Sequence, residues 1–309
     1  MKLKSFTSAI FISVFIAGTT ILAAPLAPPE QKFKKLVALG DSFTDSGNVF
    51  NLTNHLWPSA GNFFEGRFSN GKMWVEYLSE LLGAELENKA YGGATSDNDL
   101  VQGFISKQLV PGATADIPVP GMKQQVDEYL SENDNHEDNL YAFWDAGNDY
   151  FFSSFSMDPL KVVESMGLSF EKLVAAGAKS FLVADIEDFS KLPFFKNSTS
   201  ETKTSYQKIV KDHNEALSEY LKSFVEKHND VQVYRYITVE MFDYYTSIEG
   251  QKELKISNVT DACNDIYSNL TNPVICDKPD DFIFWDAFHV TTKLNSVIAN
   301  DCLKAITKS

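Results

Sequence analysis

Short apolar runs alternate with amphipathic segments along most of this chain. Apolar runs at 34–39, 86–91, 140–144, 181–184 and 231–237 predict strands, and helical spacing predicts helices at 73–82, 121–130, 160–176, 203–228 and 291–306. Uninterrupted apolar runs are typical of strands buried on both faces, and their alternation with helices indicates a mostly parallel sheet covered on each side. The run at 231–237 is the last clear strand, and 250–279 reads as loop. No repeat or low-complexity linker divides the chain, so the pattern predicts one α/β domain.

The amino terminus has the pattern of a secretory signal. Lys2 and Lys4 precede an apolar run at 9–22, and small residues follow it. We therefore predict a signal peptide at 1–23 and a single domain at 24–309. The run is short for a membrane span, which makes a retained anchor the weaker alternative. Four tripeptides then become candidate glycosylation sites, beginning at Asn51, Asn197, Asn258 and Asn269.

Composition narrows the classes of partner. The chain has 309 residues, 44% of them hydrophobic, and a net charge of -15, which disfavours nucleic acids and anionic membranes. Its three cysteines have no zinc-binding spacing. In an oxidising compartment Cys263 and Cys276 are the favoured pair, and Cys302 is then a spare on the last helix. Three pairings are open from the sequence alone.

The first predicted strand ends in Gly40-Asp41-Ser42, where the chain turns polar. Parallel strands deliver functional groups to their carboxyl edge, so Ser42 is a candidate nucleophile if a base and an oxyanion hole accompany it. The other interpretation is a plain turn, with Asp41 or Ser42 beginning a helix. The long aromatic segment at 49–70 either walls a pocket or is a packed surface loop.

Five histidines are candidates for the base. His213 and His228 lie on the long predicted helix, His136 lies in an acidic stretch that we expect to be solvated, and His55 has no carboxylate placed to orient it. His289 has Asp286 three residues before it, so one turn of backbone can bring the two side chains together.

Two further turns follow predicted strands and supply candidate oxyanion donors. Gly93 could offer a backbone N–H without a Cβ in the way, and Asn148 could donate through its side-chain amide. Each turn also has a structural interpretation, because glycine and Asn-Asp pairs are common turn formers.

In series, these stretches resemble the four blocks of the SGNH (GDSL) hydrolase superfamily, and in particular its secreted lipase and esterase branch. The matching segments are Gly40-Asp41-Ser42, 88–96 around Gly93, Gly147-Asn148-Asp149 and Asp286 to His289, in family order over about 36–306. The resemblance implies a flavodoxin-like three-layer α/β/α sandwich with a mostly parallel sheet.

The resemblance also implies a role for each candidate residue. Ser42 would be the nucleophile, His289 the general base and acid, and Asp286 its orienting carboxylate. The N–H groups of Ser42 and Gly93 and the amide of Asn148 would hold the oxyanion, with Gly92 as a neighbouring alternative donor. No cofactor or metal is required. One departure is Val290, where many relatives have proline.

We therefore expect a secreted serine ester hydrolase that forms an acyl-enzyme on a small-molecule, lipid or acylated-carbohydrate ester. We expect a monomer with no nucleic acid partner and no stable membrane anchor. The alternatives are a carbohydrate acetylesterase and a catalytically silent binding module on the same scaffold. A dinucleotide-binding protein is disfavoured, because no Gly-x-Gly-x-x-Gly follows a predicted strand.

Overall fold

The computed structural model describes residues 32–308, and the predicted signal peptide at 1–23 lies outside them. The strands are β1 (Lys35–Gly40), β2 (Glu85–Asn88), β3 (Phe104–Ile105), β4 (Ile117–Pro118), β5 (Asn139–Trp144), β6 (Ser180–Ala184), β7 (Gln232–Tyr236), β8 (Asn258–Ala262) and β9 (Phe282–Phe284). The α-helices are α1 (Asn48–Leu52), α2 (Trp74–Leu82), α3 (Met122–Glu132), α4 (Gly147–Phe152), α5 (Pro159–Ala175), α6 (Ser200–Lys227), α7 (Thr238–Thr246), α8 (Ile248–Leu254) and α9 (Thr292–Thr307). None of the helices within 32–308 is long and apolar enough to cross a membrane.

Five strands form the central sheet in the order β2-β1-β5-β6-β7, and all neighbours run parallel. Counted along the chain this is 2-1-3-4-5, the flavodoxin-like doubly wound order, which places the point of strand reversal between β1 and β5. Every residue of β5 is buried, and so is every residue of β1 after Lys35. The predicted α/β class with a mostly parallel sheet is confirmed.

Helices cover both faces of this sheet. α2 packs against α9, while α3, α5 and α6 pack in a row. Because crossovers between parallel strands are right-handed, the reversal of direction after β2 puts these two groups on opposite faces. The carboxyl edge of the sheet is left uncovered by either layer and carries the polar turns.

A second cluster of buried residues lies apart from the main core. Its members come from three segments outside the central sheet: Val49, Trp57, Phe63 and Phe68; Ala94, Ile105, Val110 and Val119; and Cys263, Ile266 and Trp285. We call this cluster the second core. Cys263 and Cys276 form a disulfide within it, the pairing favoured by the sequence, and Cys302 is a buried free thiol on α9.

The structure differs from the sequence prediction in the extent of the strands. β2 ends at Asn88 rather than at 91, although the N–H groups of Lys89 and Tyr91 still donate to the Ala38 and Gly40 carbonyls of β1 at 2.8 and 3.1 Å. The Asn88 amide donates to the Thr44 carbonyl at 2.7 Å and to Ser46 Oγ at 2.9 Å, which ties the end of β2 to the turn after Ser42. Two strands also follow β7. β8 lies in the region at 250–279 that reads as loop, and it pairs parallel with β9, which lies just beyond that region.

Two local predictions are wrong. His136 is buried rather than solvated, and its Nδ1 lies 3.2 Å from the Tyr141 hydroxyl, because the acidic stretch folds back over β5. The chain also does not enter a helix at Asp41 or Ser42. It makes a tight turn in which the N–H groups of Thr44 and Asp45 donate to the Asp41 carbonyl, and α1 begins only at Asn48.

Candidate active site

Ser42 stands at the carboxyl end of β1, next to the point of strand reversal. The backbone of Gly40 has φ +140°, and a Cβ there would lie 1.9 Å from the Trp144 carbonyl oxygen of β5. Only glycine allows this approach. The Asp41 N–H then donates to the same carbonyl at 3.2 Å, which holds the turn against the sheet and presents the Ser42 side chain to the edge.

A continuous set of hydrogen bonds joins Ser42, His289 and Asp286. Nε2 of His289 lies 2.8 Å from Ser42 Oγ, and Nδ1 lies 2.8 Å from Oδ2 of Asp286. The carboxylate is completely buried and its Oδ1 also accepts the N–H groups of Phe288 and His289, both at 2.8 Å. With Nδ1–H donating to Asp286, Nε2 is free to accept the Ser42 proton.

The loop that carries His289 is fixed although Val290 stands where many relatives have proline. The Trp285 N–H donates to the His289 carbonyl at 2.8 Å, and Ser69 Oγ donates to the Val290 carbonyl at 2.8 Å. These bonds hold the two carbonyl groups that follow the His289 side chain, and so they fix the backbone at position 290.

Gly93 is the better placed of the two adjacent glycines for an oxyanion donor. The Gly92 N–H donates to Asp45 Oδ2 at 2.9 Å and is therefore occupied. The N–H groups of Gly93 and Ser42 donate to no other group within residues 32–308. Gly93 has φ +79°, and a Cβ there would lie 2.4 Å from the Phe104 carbonyl oxygen, so no other residue fits.

Asn148 is held beside the Gly93 turn at the start of α4. Its Nδ2 donates to the Ala94 carbonyl at 2.8 Å, which leaves its second amide hydrogen for a ligand. The neighbouring Asp149 accepts from the N–H and Oγ of Ser96 at 2.8 and 2.6 Å. Burial raises the pKa of Asp149 to about 7. The two donor turns are thus bonded to each other.

An apolar pocket of about 660 Å³ opens at Ser42. Aromatic side chains dominate its lining: Phe43, Trp57, Phe68, Phe104, Phe151, Phe152, Phe155, Phe194, Phe195, Tyr206, Tyr267 and Phe288. Trp57 and Phe68 belong to the segment at 49–70, so that segment does wall a pocket. The contribution of α4 was not predictable from the sequence, because its six residues are too few to show a helical period.

The other histidines do not contact Ser42. Nδ1 of His213 lies 2.8 Å from the Tyr150 hydroxyl, and burial lowers the pKa of His213 to about 3. His228 pairs with Glu171 at 3.0 Å, and His55 stacks on Phe50. Selection of His289 from the sequence therefore agrees with the geometry.

Three carboxylates follow adjacent strands at this edge, and no sequence pattern indicates that they are buried. Asp41 follows β1, Asp145 follows β5 and Glu187 comes shortly after β6. Burial, and then the charge of Glu187, raise the pKa of Asp41 well above its usual range. Burial, and then the charge of Asp41, do the same to the pKa of Asp145, and burial raises the pKa of Glu187.

Comparison with known proteins gives one family. Residues 36–302 match the model of the GDSL-like lipase/acylhydrolase family. The chain is 28% identical over 306 residues to thermolabile hemolysin of Vibrio parahaemolyticus, covering 94% of this chain and 68% of that protein. It is 32% identical over 215 residues to the secreted effector protein SseJ of Salmonella typhimurium, covering 67% of this chain and 48% of that protein.

Two further proteins are similar to this chain. The phosphatidylcholine-sterol acyltransferase of Aeromonas hydrophila is 27% identical over 183 residues, which cover 58% of this chain and 52% of that protein. Among solved structures, a lipolytic G-D-S-L family member from Veillonella parvula aligns with a TM-score of 0.47 at 11% identity, covering 89% of this chain and 98% of that one. This chain thus spans about half the length of two of these curated relatives.

Proposed function

Since the chain belongs to the GDSL-like lipase/acylhydrolase family, whose members hydrolyse esters, we propose that it does so with Ser42, His289 and Asp286 as a catalytic triad. The observation that carries this proposal is the unbroken series of 2.8 Å contacts from Asp286 through His289 to Ser42 Oγ. The geometry is that of a nucleophile, its base and an orienting carboxylate.

The reaction proceeds in two acyl-transfer steps. Ser42 Oγ attacks the ester carbonyl carbon while its proton passes to Nε2 of His289, and the alcohol leaves with that proton. Water then attacks the acyl-enzyme, His289 takes its proton, and the acid is released as Ser42 regains a hydrogen. The oxyanion of each tetrahedral intermediate accepts from Gly93, Asn148 and the Ser42 N–H.

The pocket supports an acyl chain longer than acetyl as part of the substrate. Its lining is mostly aromatic, and its volume of about 660 Å³ lies in the range that encloses an extended organic ligand. An acetyl group alone leaves most of that apolar surface unused. We therefore favour a lipase or acylesterase over a carbohydrate acetylesterase.

The test is hydrolysis of nitrophenyl esters from acetate to palmitate by the wild type and Ser42→Ala. We expect the variant to lose at least about 10⁴-fold in kcat, because the nucleophile is absent. Ser154→Ala is the matched control, since Ser154 also lines the pocket but makes no contact with His289. Equal activity of wild type and Ser42→Ala would refute the triad, and a silent binding module would leave all three proteins inert.

We further propose that the protein is exported and carries N-linked glycans. The disulfide between Cys263 and Cys276 supports an oxidising compartment, and the side chains of Asn51 and Asn197 are exposed. Sequencing the amino terminus of protein from the medium would locate the cleavage, which we expect after residue 23. Digestion with an endoglycosidase should lower its apparent mass, and an unchanged mass would refute glycosylation.

A further inference from the structure

The carboxylates of Asp41, Asp145 and Glu187 form a buried acidic wall beside Ser42 that the triad does not use. They follow β1, β5 and β6, which neighbour one another in the central sheet. Each is at least nine-tenths buried, and both Asp41 and Glu187 line the same pocket as Ser42 and Asn148. Within residues 32–308 no group of acidic, histidine or cysteine side chains is arranged to hold a metal ion. The wall therefore needs another explanation.

The carboxylate oxygens of this acidic wall outnumber the hydrogen-bond donors that reach them among the described residues. Glu187 Oε2 accepts the Trp144 Nε1–H at 3.3 Å, and Asp41 Oδ1 accepts the Phe43 N–H at 2.9 Å. Neither carboxylate oxygen of Asp145 has a hydrogen-bond partner among the described residues. Buried acceptors without donors are costly, and a proton held on an acid turns an acceptor into a donor.

Glu187 and Asp41 face the same backbone position next to an oxyanion donor. A Cβ placed on Gly147 would lie 3.8 Å from Glu187 Oε1 and 3.9 Å from Asp41 Oδ2. Asn148 is the next residue, and Ser42 directly follows Asp41. A charge on either carboxylate therefore acts on the place where the oxyanion forms.

Few positive charges oppose these acids. None of the described residues that line the pocket is lysine or arginine, and His289 is the one base among them. Besides each other, the titratable groups that act on Glu187 and Asp41 include Asp145 after β5, and in addition Asp45 after the Ser42 turn, Asp149 on α4, Asp188 next along the chain and His289 on the loop before α9. All but the imidazole are acidic, so the surroundings favour retention of a proton.

On the basis of the proposed function, we propose that Glu187 and Asp41 together retain one proton during turnover, which keeps a second negative charge away from the oxyanion. The two acids then carry one charge between them, and the proton supplies the missing donor. Loss of that proton leaves two negative charges beside the oxyanion. These charges repel the oxyanion through a low-dielectric environment and therefore oppose its formation. Glu187 thus acts on the oxyanion through its charge and does not touch the reacting atoms.

The expected pH dependence follows from the direction of titration. Burial raises the pKa of both acids. The proposal therefore places the retained proton on this pair at neutral pH and its loss on the alkaline side. The wild-type kcat should therefore fall at alkaline pH. Glu187→Gln stays neutral in that range and should retain activity there.

The experiment measures kcat from about pH 6 to about pH 10 on one nitrophenyl ester for wild type, Glu187→Gln and Asp188→Asn. We expect Glu187→Gln to match the wild type within about threefold at pH 6 and to exceed it about tenfold at the alkaline end. Asp188→Asn is the control, because its alkaline midpoint should not move to higher pH. It removes a negative neighbour of Glu187, so its alkaline midpoint should stay in place or move to lower pH.

Two results would overturn the inference: a wild-type kcat that stays flat to pH 10, or an alkaline midpoint that is the same in Glu187→Gln and the wild type. If Glu187→Gln does not fold, the same prediction applies to Glu187→Leu. If neither variant folds, the pH profile of the wild-type kcat is the remaining test, and a flat profile overturns the inference. Labelling of Ser42 by a fluorophosphonate at pH 7 separates the two proposals. If Ser42 is not labelled, the triad assignment fails. If Ser42 is labelled but the alkaline midpoint of kcat is the same in Glu187→Gln and the wild type, only the proposal of a retained proton fails.

Discussion

Replacement of Asn148 by alanine removes one of three donors that surround the predicted oxyanion. One amide hydrogen of Asn148 is used by the Ala94 carbonyl at 2.8 Å, so the side chain is fixed before substrate arrives and its other hydrogen is free. Loss of one preorganised donor typically lowers kcat by about 10² to 10³, or about 3 to 4 kcal/mol. The free energy of unfolding should fall by only about 1 kcal/mol, since one half-buried hydrogen bond is lost.

The assay is steady-state hydrolysis of a medium-chain nitrophenyl ester, with the melting temperature measured on the same sample. KM should change little, because the donor acts mainly on the transition state. Asn133→Ala is the matched control. Asn133 Nδ2 likewise donates to a backbone carbonyl, that of Tyr129 at 3.1 Å, but it lies by Lys35 at the start of β1. A loss below about threefold in kcat for Asn148→Ala, or an equal loss in both variants, would refute the assignment.

Three other substitutions test neighbouring parts of the structure. Gly93→Ala should abolish measurable kcat and lower the melting temperature, because its Cβ would lie 2.4 Å from the Phe104 carbonyl oxygen; full activity would exclude Gly93 as a donor. Leu109→Trp fills part of the pocket and should move the preferred ester to a shorter acyl chain, and an unchanged chain-length profile would show that the acyl group lies elsewhere. Asp145→Asn should raise the melting temperature more at pH 8 than at pH 5. The raised pKa of Asp145 means that its stabilising protonated form is lost as pH rises, while asparagine does not titrate; an advantage that shrinks with pH would contradict this.

The central sheet was predictable because its strands are buried on both faces. The run from Leu36 to Leu39 has no polar interruption, and a run of that kind has few alternatives to a parallel strand. β8, with the sequence Asn-Val-Thr-Asp-Ala, has neither an apolar run nor clear alternation, and it forms through pairing with β9. Local pattern contains no information about such a partner.

The residues of the predicted site could be chosen from the sequence because most of them follow strands of the same sheet. Ser42, Gly93 and Asn148 each follow a strand or a short turn after one, and topology brings those ends to one edge. His289 was selected by elimination and by the three-residue spacing from Asp286. Glu187 was missed, since an acidic residue after a strand resembles any solvated turn. Its burial depends on packing with Trp144 from β5, which no local pattern encodes.

The second core has a consequence for how this enzyme can change over generations. Trp57, Phe68 and Tyr267 supply pocket wall, and the Phe68 ring also lies 5.1 Å from the His289 ring. The same segments hold the loop of the predicted base, because Ser69 donates to the Val290 carbonyl and the Trp285 N–H donates to the His289 carbonyl. Substitutions at residues in contact have coupled effects. A lineage that alters which acyl chains fit therefore also alters the surroundings of His289, so substrate preference and capacity for chemistry are inherited together.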